Sequence, residues 1–270
     1  MDPIRVLVLG TGRMGKQVVK RLVFEEGLEC VAAVDNPESP DLGKDIGSLT
    51  GVEPIKIFVE SSDLLSDVIK ESKPDVAVDF TTAESCVPNL TIIAENKLNL
   101  ICGTTGLKPE QRDELKKVIK KNKIGAVLSP NMSIGVNVFW KLIEQATEKL
   151  KDYDIEVIEA HHRFKKDAPS GTALKTVELV HKVLGSDSDE LTAYGRRGNW
   201  VRNKGEVGVH AIRAGDIVGD HTVLFATIGE RLELTHRAHS REAFVNGVIE
   251  AIRFIHSKKG VYGMHDVLGL

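Results

Sequence analysis

Residues 4–9, Ile-Arg-Val-Leu-Val-Leu, run directly into Gly10-Thr11-Gly12-Arg13-Met14-Gly15. Few sequence features restrict a fold as tightly. The apolar spacing predicts a strand over 4–9, a tight turn, and a helix over 16–26 that buries Val18, Val19, Leu22 and Val23. A second strand over 30–34 ends at Asp35. A glycine-rich turn that follows a strand, opens a helix and precedes an acid by ~20 residues is the context in which this spacing binds a dinucleotide. The first two glycines make the turn and let a pyrophosphate approach the backbone. The third lets helix and strand pack closely, and Asp35 is placed to accept hydrogen bonds from ribose hydroxyls.

The alternation continues. Strands are expected over 55–59, 76–80, 100–102 and 125–128, with helices over 63–71, 83–96, 109–121 and 135–150. Such a chain makes an α/β fold, a Rossmann-type doubly wound parallel sheet with helices on both faces. Ligands of such sheets sit at the carboxyl ends of the strands. That places the polar turns after Phe80, Cys102 and Leu128 on the ligand side.

Beyond residue 150 the pattern changes. A strand over 153–159 is followed by a loop and a helix reaching Leu184, then by a polar stretch, 185–205, read as an exposed excursion. Strands over 207–212, 221–228 and 231–238 are joined by tight turns. They predict a C-terminal α+β domain with a mixed open sheet. Ser240 caps a last helix over 241–257, which returns to the first domain. The expected division is 1–131 with 240–270 for dinucleotide binding, and 132–239 for substrate binding and oligomerisation.

The most chemically loaded stretch is Glu159-Ala160-His161-His162-Arg163-Phe164-Lys165-Lys166-Asp167-Ala168-Pro169-Ser170-Gly171-Thr172. Histidines move protons near neutral pH. Lys165 meets a negative charge. Ser170, Gly171 and Thr172 open a helix, and a helix start binds anions. Together they point to a small anionic substrate that receives or gives a proton. A metal held by His161 and His162 is not expected, because neighbouring strand residues point to opposite faces.

The net charge of −3, without a long basic run, and an aromatic content of 5% exclude a nucleic-acid surface. No apolar run has membrane-spanning length. Cys30, Cys86 and Cys102 lack the spacing of a disulfide framework or a zinc site, which suits a reduced, cytoplasmic protein.

Gly12-Arg13-Met14-Gly15, Gly103-Thr104-Thr105-Gly106, the His161-His162-Arg163 stretch with Lys165 and Ser170-Gly171-Thr172, residues 213–221 and residues 229–236 resemble the dihydrodipicolinate reductases, over nearly the whole chain. The resemblance implies hydride transfer from NADH or NADPH to an unsaturated cyclic dicarboxylate, in lysine and diaminopimelate biosynthesis. It implies His161 as general acid and Lys165 as second proton donor. It places His162, Lys165, Ser170, Gly171 and Thr172 on the substrate carboxylates. Gly10, Thr11, Gly12, Arg13, Met14, Gly15, Asp35, Gly103, Thr104, Thr105, Ser129, Pro130, Asn131 and Met132 are implied to line the cofactor. A homotetramer built on the C-terminal sheet is implied, with 185–205 and 207–238 as its interface. The chain departs from the family pattern at three points. Its glycine turn is one residue shorter than the common form, Phe164 stands where another histidine often occurs, and Asn36 replaces the arginine that favours a 2′-phosphate. Asp35 without that arginine favours NADH, with Lys44 or Arg13 near enough to admit NADPH. Two other readings fit the residues alone: another two-domain nicotinamide dehydrogenase, or a nucleotide sensor without catalysis.

Overall fold

The computed structural model describes residues 2–186 and 188–270. The chain begins β1 (Ile4–Leu9), α1 (Arg13–Phe24), β2 (Leu28–Asp35), α2 (Ile46–Thr50), β3 (Val59–Ser61), α3 (Leu65–Ser72), β4 (Val76–Asp79), α4 (Ala83–Glu95), β5 (Asn99–Cys102), α5 (Pro109–Asn122), β6 (Gly125–Leu128). It continues α6 (Ile134–Lys149), β7 (Asp154–His161), α7 (Gly171–Leu184), α8 (Ser188–Leu191), β8 (Thr192–Tyr194), β9 (Val207–Arg213), β10 (Gly219–Thr227), β11 (Glu230–Ala238). It closes with α9 (Glu242–Ile255), β12 (Gly260–Tyr262) and α10 (Met264–Leu268). Two compact units result, residues 1–133 with 244–269, and residues 134–243 with 270.

The first unit is the expected doubly wound sheet, with strand order β12-β6-β5-β4-β1-β2-β3 and every pairing parallel. Its two apolar layers follow from the period-two geometry of a strand. Val6 and Val8 pack with Val18, Val19 and Leu22 of α1 and Val248 and Ile252 of α9. Leu7 and Leu9 face the other way, onto Leu65 of α3, Leu90 and Ile93 of α4 and Leu115 of α5. The order reverses between β1 and β4, and in such sheets that point is where a crevice for ligands opens.

The second unit is a five-stranded mixed sheet, β11-β10-β7-β9-β8. β10 runs antiparallel to β7 and β11, and β9 runs parallel to β7 and β8. One face packs on Phe139, Trp140 and Ile143 of α6 and Val177 and Val180 of α7. Trp140 donates its indole N–H to Thr176 at 3.0 Å, so the polar edge of this large buried ring is satisfied.

Three local expectations differ from the structure. The strand placed over 55–59 is displaced to Val59–Ser61. Asp45, capping α2, accepts the amides of Ser48, Ile55 and Lys56, and Lys56 turns left-handed at φ 61°. Amides taken by that carboxylate are lost to a strand ladder. Helix α1 begins at Arg13 rather than residue 16, directly after its Gly12 N-cap. The 185–205 stretch is no bare excursion, since it carries α8 and β8. Its later part is tied down by charge, with Arg196 in a fork on Glu156 at 2.9 and 2.7 Å and on Glu206 at 2.6 Å. Strand β12 was also not expected, because three residues carry no readable period.

Candidate active site

The inward stripe of β7 explains the chemistry of the second unit. Ile155, Val157, Glu159 and His161 alternate onto one face. The first two fill the core. The last two continue that stripe as ionisable groups at the strand end. Glu159 is fully buried, and its carboxylate accepts four hydrogen bonds. His161 Nδ1 donates at 2.6 Å, the Ser170 amide at 3.0 Å, and the Arg213 guanidinium at 2.8 and 2.7 Å. Arg213 arrives because β9 lies parallel to β7 with His161 opposite Arg213. Burial alone would raise the Glu159 pKa, but Arg213, His161 and the Ser170 amide outweigh it and hold it below the usual carboxylate value.

This clamp fixes the tautomer of His161. An ionised carboxylate only accepts, so Nδ1 carries a hydrogen and Nε2 is the nitrogen left to serve a ligand. The His161 pKa is lowered, first by burial and then by the charges of Lys165 and Arg213, against the pull of Glu159. Gly219 stands beside the ring, where an added Cβ would come 3.1 Å from Nε2. His221, on β10, meets the His161 ring edge-on at 5.2 Å. Its own pKa is pushed down to about 3, chiefly by burial and then by His161, so it stands neutral.

Ser170 caps α7 by accepting the Ala173 amide at 3.2 Å, and its hydroxyl also bonds His221 Nε2 at 3.1 Å. The start of α7 is thereby held against β7 and β10. At Gly171 an added Cβ would meet nothing within 4 Å, so packing does not explain the glycine. The open space lies at the positive end of a 14-residue helix. Lys165 pairs with Asp167 at 2.9 and 2.8 Å. The Asp167 side chain is 62% exposed, which leaves it replaceable by another carboxylate. Among the described residues His162 Nδ1, which is buried, has no hydrogen-bond partner, and Phe164 is exposed.

The first unit has its own site. Gly10 adopts φ 85°, and a Cβ there would strike the Phe80 carbonyl at 2.7 Å. Gly15 packs so closely that a Cβ would lie 1.8 Å from the Gly10 carbonyl oxygen. Gly12 faces open space, and α1 begins without a side-chain cap. Asp35 accepts the Thr11 amide at 3.1 Å, the Thr11 hydroxyl and the Ser39 hydroxyl at 3.2 Å. Burial works to raise its pKa, but these bonds win and lower it. A hollow of about 270 Å³ lies over Gly10, Gly12, Asp35, Asn36, Thr82 and Ser85. A second, of about 350 Å³, is bordered by Thr104, Thr105, Ser129, Pro130, Arg112 and Tyr262. The turn, the open glycine, the uncapped helix start and the acid fit a dinucleotide's pyrophosphate and ribose.

The remaining sequence candidates divide between exposed positions and positions held by the fold. Thr104 is buried with its hydroxyl given to Asp79 at 2.6 Å. Gly103 fits because the Phe80 ring would lie 2.2 Å from a Cβ. Ser129 donates to the Asn131 carbonyl at 2.8 Å, and Asn131 in turn accepts the Ser133 amide at 2.9 Å. The Met132 side chain lies in the core with Val245 and Val248. Arg13 and Thr105 are exposed and Met14 is partly buried. Sequence reasoning gave no part to Arg213 as the partner of Glu159. The two are 54 positions apart, and only the register of β7 with β9 joins them. Glu159 itself carried a signal, two residues before His161 on a strand and hence on the same face.

Comparison with known proteins follows the same division. The family described as "Dihydrodipicolinate reductase, N-terminus" matches residues 4–132, and "Dihydrodipicolinate reductase, C-terminus" matches residues 135–268. A 4-hydroxy-tetrahydrodipicolinate reductase of Methanocaldococcus jannaschii is 52% identical over 270 residues, 99% of this chain and 98% of that protein. One from Methanothermobacter thermautotrophicus is 47% identical over 271 residues, 99% of each chain. Among solved structures, a dipicolinate-bound dihydrodipicolinate reductase from Paenisporosarcina sp. TG-14 superposes with a TM-score of 0.78 at 28% identity, covering 98% of this chain and 99% of that one.

Proposed function

The chain belongs to the dihydrodipicolinate reductase family, and from that premise we propose the part each residue plays. The reaction is the pyridine-nucleotide-dependent reduction of the dihydrodipicolinate precursor to tetrahydrodipicolinate, in lysine and diaminopimelate biosynthesis. Bound at the glycine turn, a reduced nicotinamide dinucleotide supplies the hydride. The open start of α1 over Gly12 would hold its pyrophosphate and Asp35 its adenosine ribose, while the turns at Gly103, Thr104 and Thr105 and at 129–132 would hold its nicotinamide half.

The carrying observation is the Glu159 clamp on His161 Nδ1. It aims Nε2 at the substrate as the proton donor. Free of ligand, His161 has a lowered pKa and is mostly neutral at pH 7. A substrate bearing two carboxylates offsets the nearby charges of Lys165 and Arg213. Substrate binding therefore carries a proton onto His161, where Nε2 delivers it to the reducing ring. Lys165 exchanges Asp167 for one substrate carboxylate and assists proton delivery. The amides of Gly171 and Thr172 at the start of α7, with His162 and the Ser170 cap, hold the other.

Gly171→Ala tests the carboxylate site by itself. Alanine suits the first turn of a helix and meets no neighbour here, so stability stays within about 0.5 kcal/mol. The methyl group stands in the anion's place, and KM rises by about tenfold, the worth of roughly 1.4 kcal/mol of binding. An unchanged KM removes the α7 start from substrate binding.

Loss of NADH absorbance with pathway substrate generated in situ, run beside NADPH, tests the activity and ranks the cofactors. Both nucleotides are expected to serve, with NADH at least as good, because Asp35 and Asn36 provide no cation for a 2′-phosphate. A kcat/KM for NADPH about tenfold above that for NADH, ~1.4 kcal/mol of discrimination, rejects the ranking.

A homotetramer built on the second unit is supported by its exposed apolar side chains, Tyr194, Trp200, Val201, Ile212, Ile228 and Leu232. No helix among the described residues is long and apolar enough to cross a membrane. Three buried cysteines free of disulfides suit the reducing, cytoplasmic setting we propose for it.

A further inference from the structure

The acid that receives the ribose is joined by a run of polar contacts to two lysines. Ser39 Oγ donates to Asp35 at 3.2 Å, and the Asp41 amide donates to Ser39 Oγ at 3.3 Å. Asp41 then accepts Lys16 Nζ at 2.6 Å and lies 3.7 Å from Lys44 Nζ. Lys16 stands in the opening turns of α1, the same helix start that faces the pyrophosphate. Lys44 closes the loop that follows Asp35.

The arrangement is held from outside. Successive turns run from Asn36 to Lys44, with the Ser39 amide on the Asn36 carbonyl at 3.0 Å and the Lys44 amide on the Asp41 carbonyl at 3.1 Å. The Gly43 amide and the Lys44 carbonyl both bond Val59, at 2.9 and 3.0 Å, which pins the loop to β3. Asp41 is only 16% exposed and Lys16 29%, so this pair is screened less than a fully solvated one.

We infer that Asp41 sets the choice between NADH and NADPH by occupying Lys16 and Lys44, the two cations that a 2′-phosphate would meet. The inference rests on the reading that the glycine turn and Asp35 hold the adenosine ribose. A phosphate on the 2′-oxygen is a dianion entering a cluster of two carboxylates, Asp35 and Asp41, and two ammonium groups. The cluster has no net charge to offer it, and Asp35 repels it directly. Without the Asp41 charge, the same cluster is positive by one, and both lysines are released toward the loop that carries the ribose acid. NADH carries only a neutral hydroxyl there, so the change of charge acts on it far less than on the dianion.

The test is equilibrium binding by the full-length chain, which needs no turnover. Wild type, Asp41→Asn and Asp41→Glu are titrated with NADPH and with NADH by calorimetry at low ionic strength. Asp41→Asn is expected to move the ratio of the two dissociation constants about tenfold toward NADPH, or about 1.4 kcal/mol. The gain should shrink as salt is added. Asp41→Glu, which keeps the charge, is expected to leave the ratio within threefold of wild type. A ratio that stays within threefold in Asp41→Asn, or that moves equally in both variants, overturns the inference while leaving the cofactor site intact. Wild-type protein that binds neither nucleotide would overturn the cofactor reading itself, and the inference with it.

Discussion

His161→Gln is expected to lower kcat by about 10²–10⁴, the usual worth of a positioned general acid, while NADH binds as tightly as before. Glutamine occupies similar space and still reaches Glu159 with its amide, so the clamp keeps a hydrogen bond and its packing. The variant therefore keeps the fold and loses the proton. The pH profile makes the assignment specific. In the free enzyme the His161 pKa lies below its ordinary value of 6.5, because burial and the neighbouring cations disfavour the imidazolium. A general acid must be protonated, so kcat/KM should fall as pH rises through that lowered value. The profile of kcat reports the substrate complex, and its falling limb should lie at higher pH, because a dianion beside the ring favours the charged form. Steady-state kinetics from pH 5 to 9 measure both limbs. A His161→Gln defect confined to KM moves the residue from proton donation to binding.

The second large effect is expected at Glu159. Glu159→Gln leaves Arg213 facing a neutral amide inside the sheet, and the lost pairing costs about 3 kcal/mol of stability, because one partner of a buried pair is left uncompensated. Arg213 keeps 19% exposure, which holds the cost to the lower part of the range for such pairs. The catalytic loss has a different origin. An amide does not impose one tautomer on His161 Nδ1 and does not stabilise the imidazolium, so kcat falls by on the order of 10² or more. The double variant Glu159→Gln with Arg213→Met separates the two effects. Removing the stranded charge should return most of the stability in chemical denaturation, and kcat should stay low. Recovery of kcat along with stability means that Glu159 only holds the fold and does not position the acid. The pH profile of the single variant gives a further readout, since the limb assigned to His161 should move lower still without the carboxylate.

The strand–turn–helix–strand run at the start was legible because each part is local. Period-two and 3.6-residue patterns report which face of an element is buried, and Gly10 and Gly15 report a backbone that tolerates no side chain. The same holds for Ser170, whose capping role follows from its position before a helix. The Lys56 turn and β12 were not legible. Asp45 captures amides ten and eleven positions away, and a three-residue strand exists only because β6 offers it an edge. The cysteines make the same point. Sixteen positions separate Cys86 from Cys102, yet α4 and β5 bring their sulfurs to 3.4 Å, in hydrogen-bond contact and free of a disulfide.

By itself the sequence determined most of the elements, their order and the stretch that carries the chemistry, since these depend on residues within a few positions of one another. Only the tertiary structure decided how that chemistry is tuned. The parallel register of β7 and β9 brings Arg213 to Glu159, and a fold of the loop after β2 brings Asp41 to Lys16. Both are contacts between charges distant in the chain. Their strength depends on burial and on ångström-scale placement, quantities that no local pattern encodes.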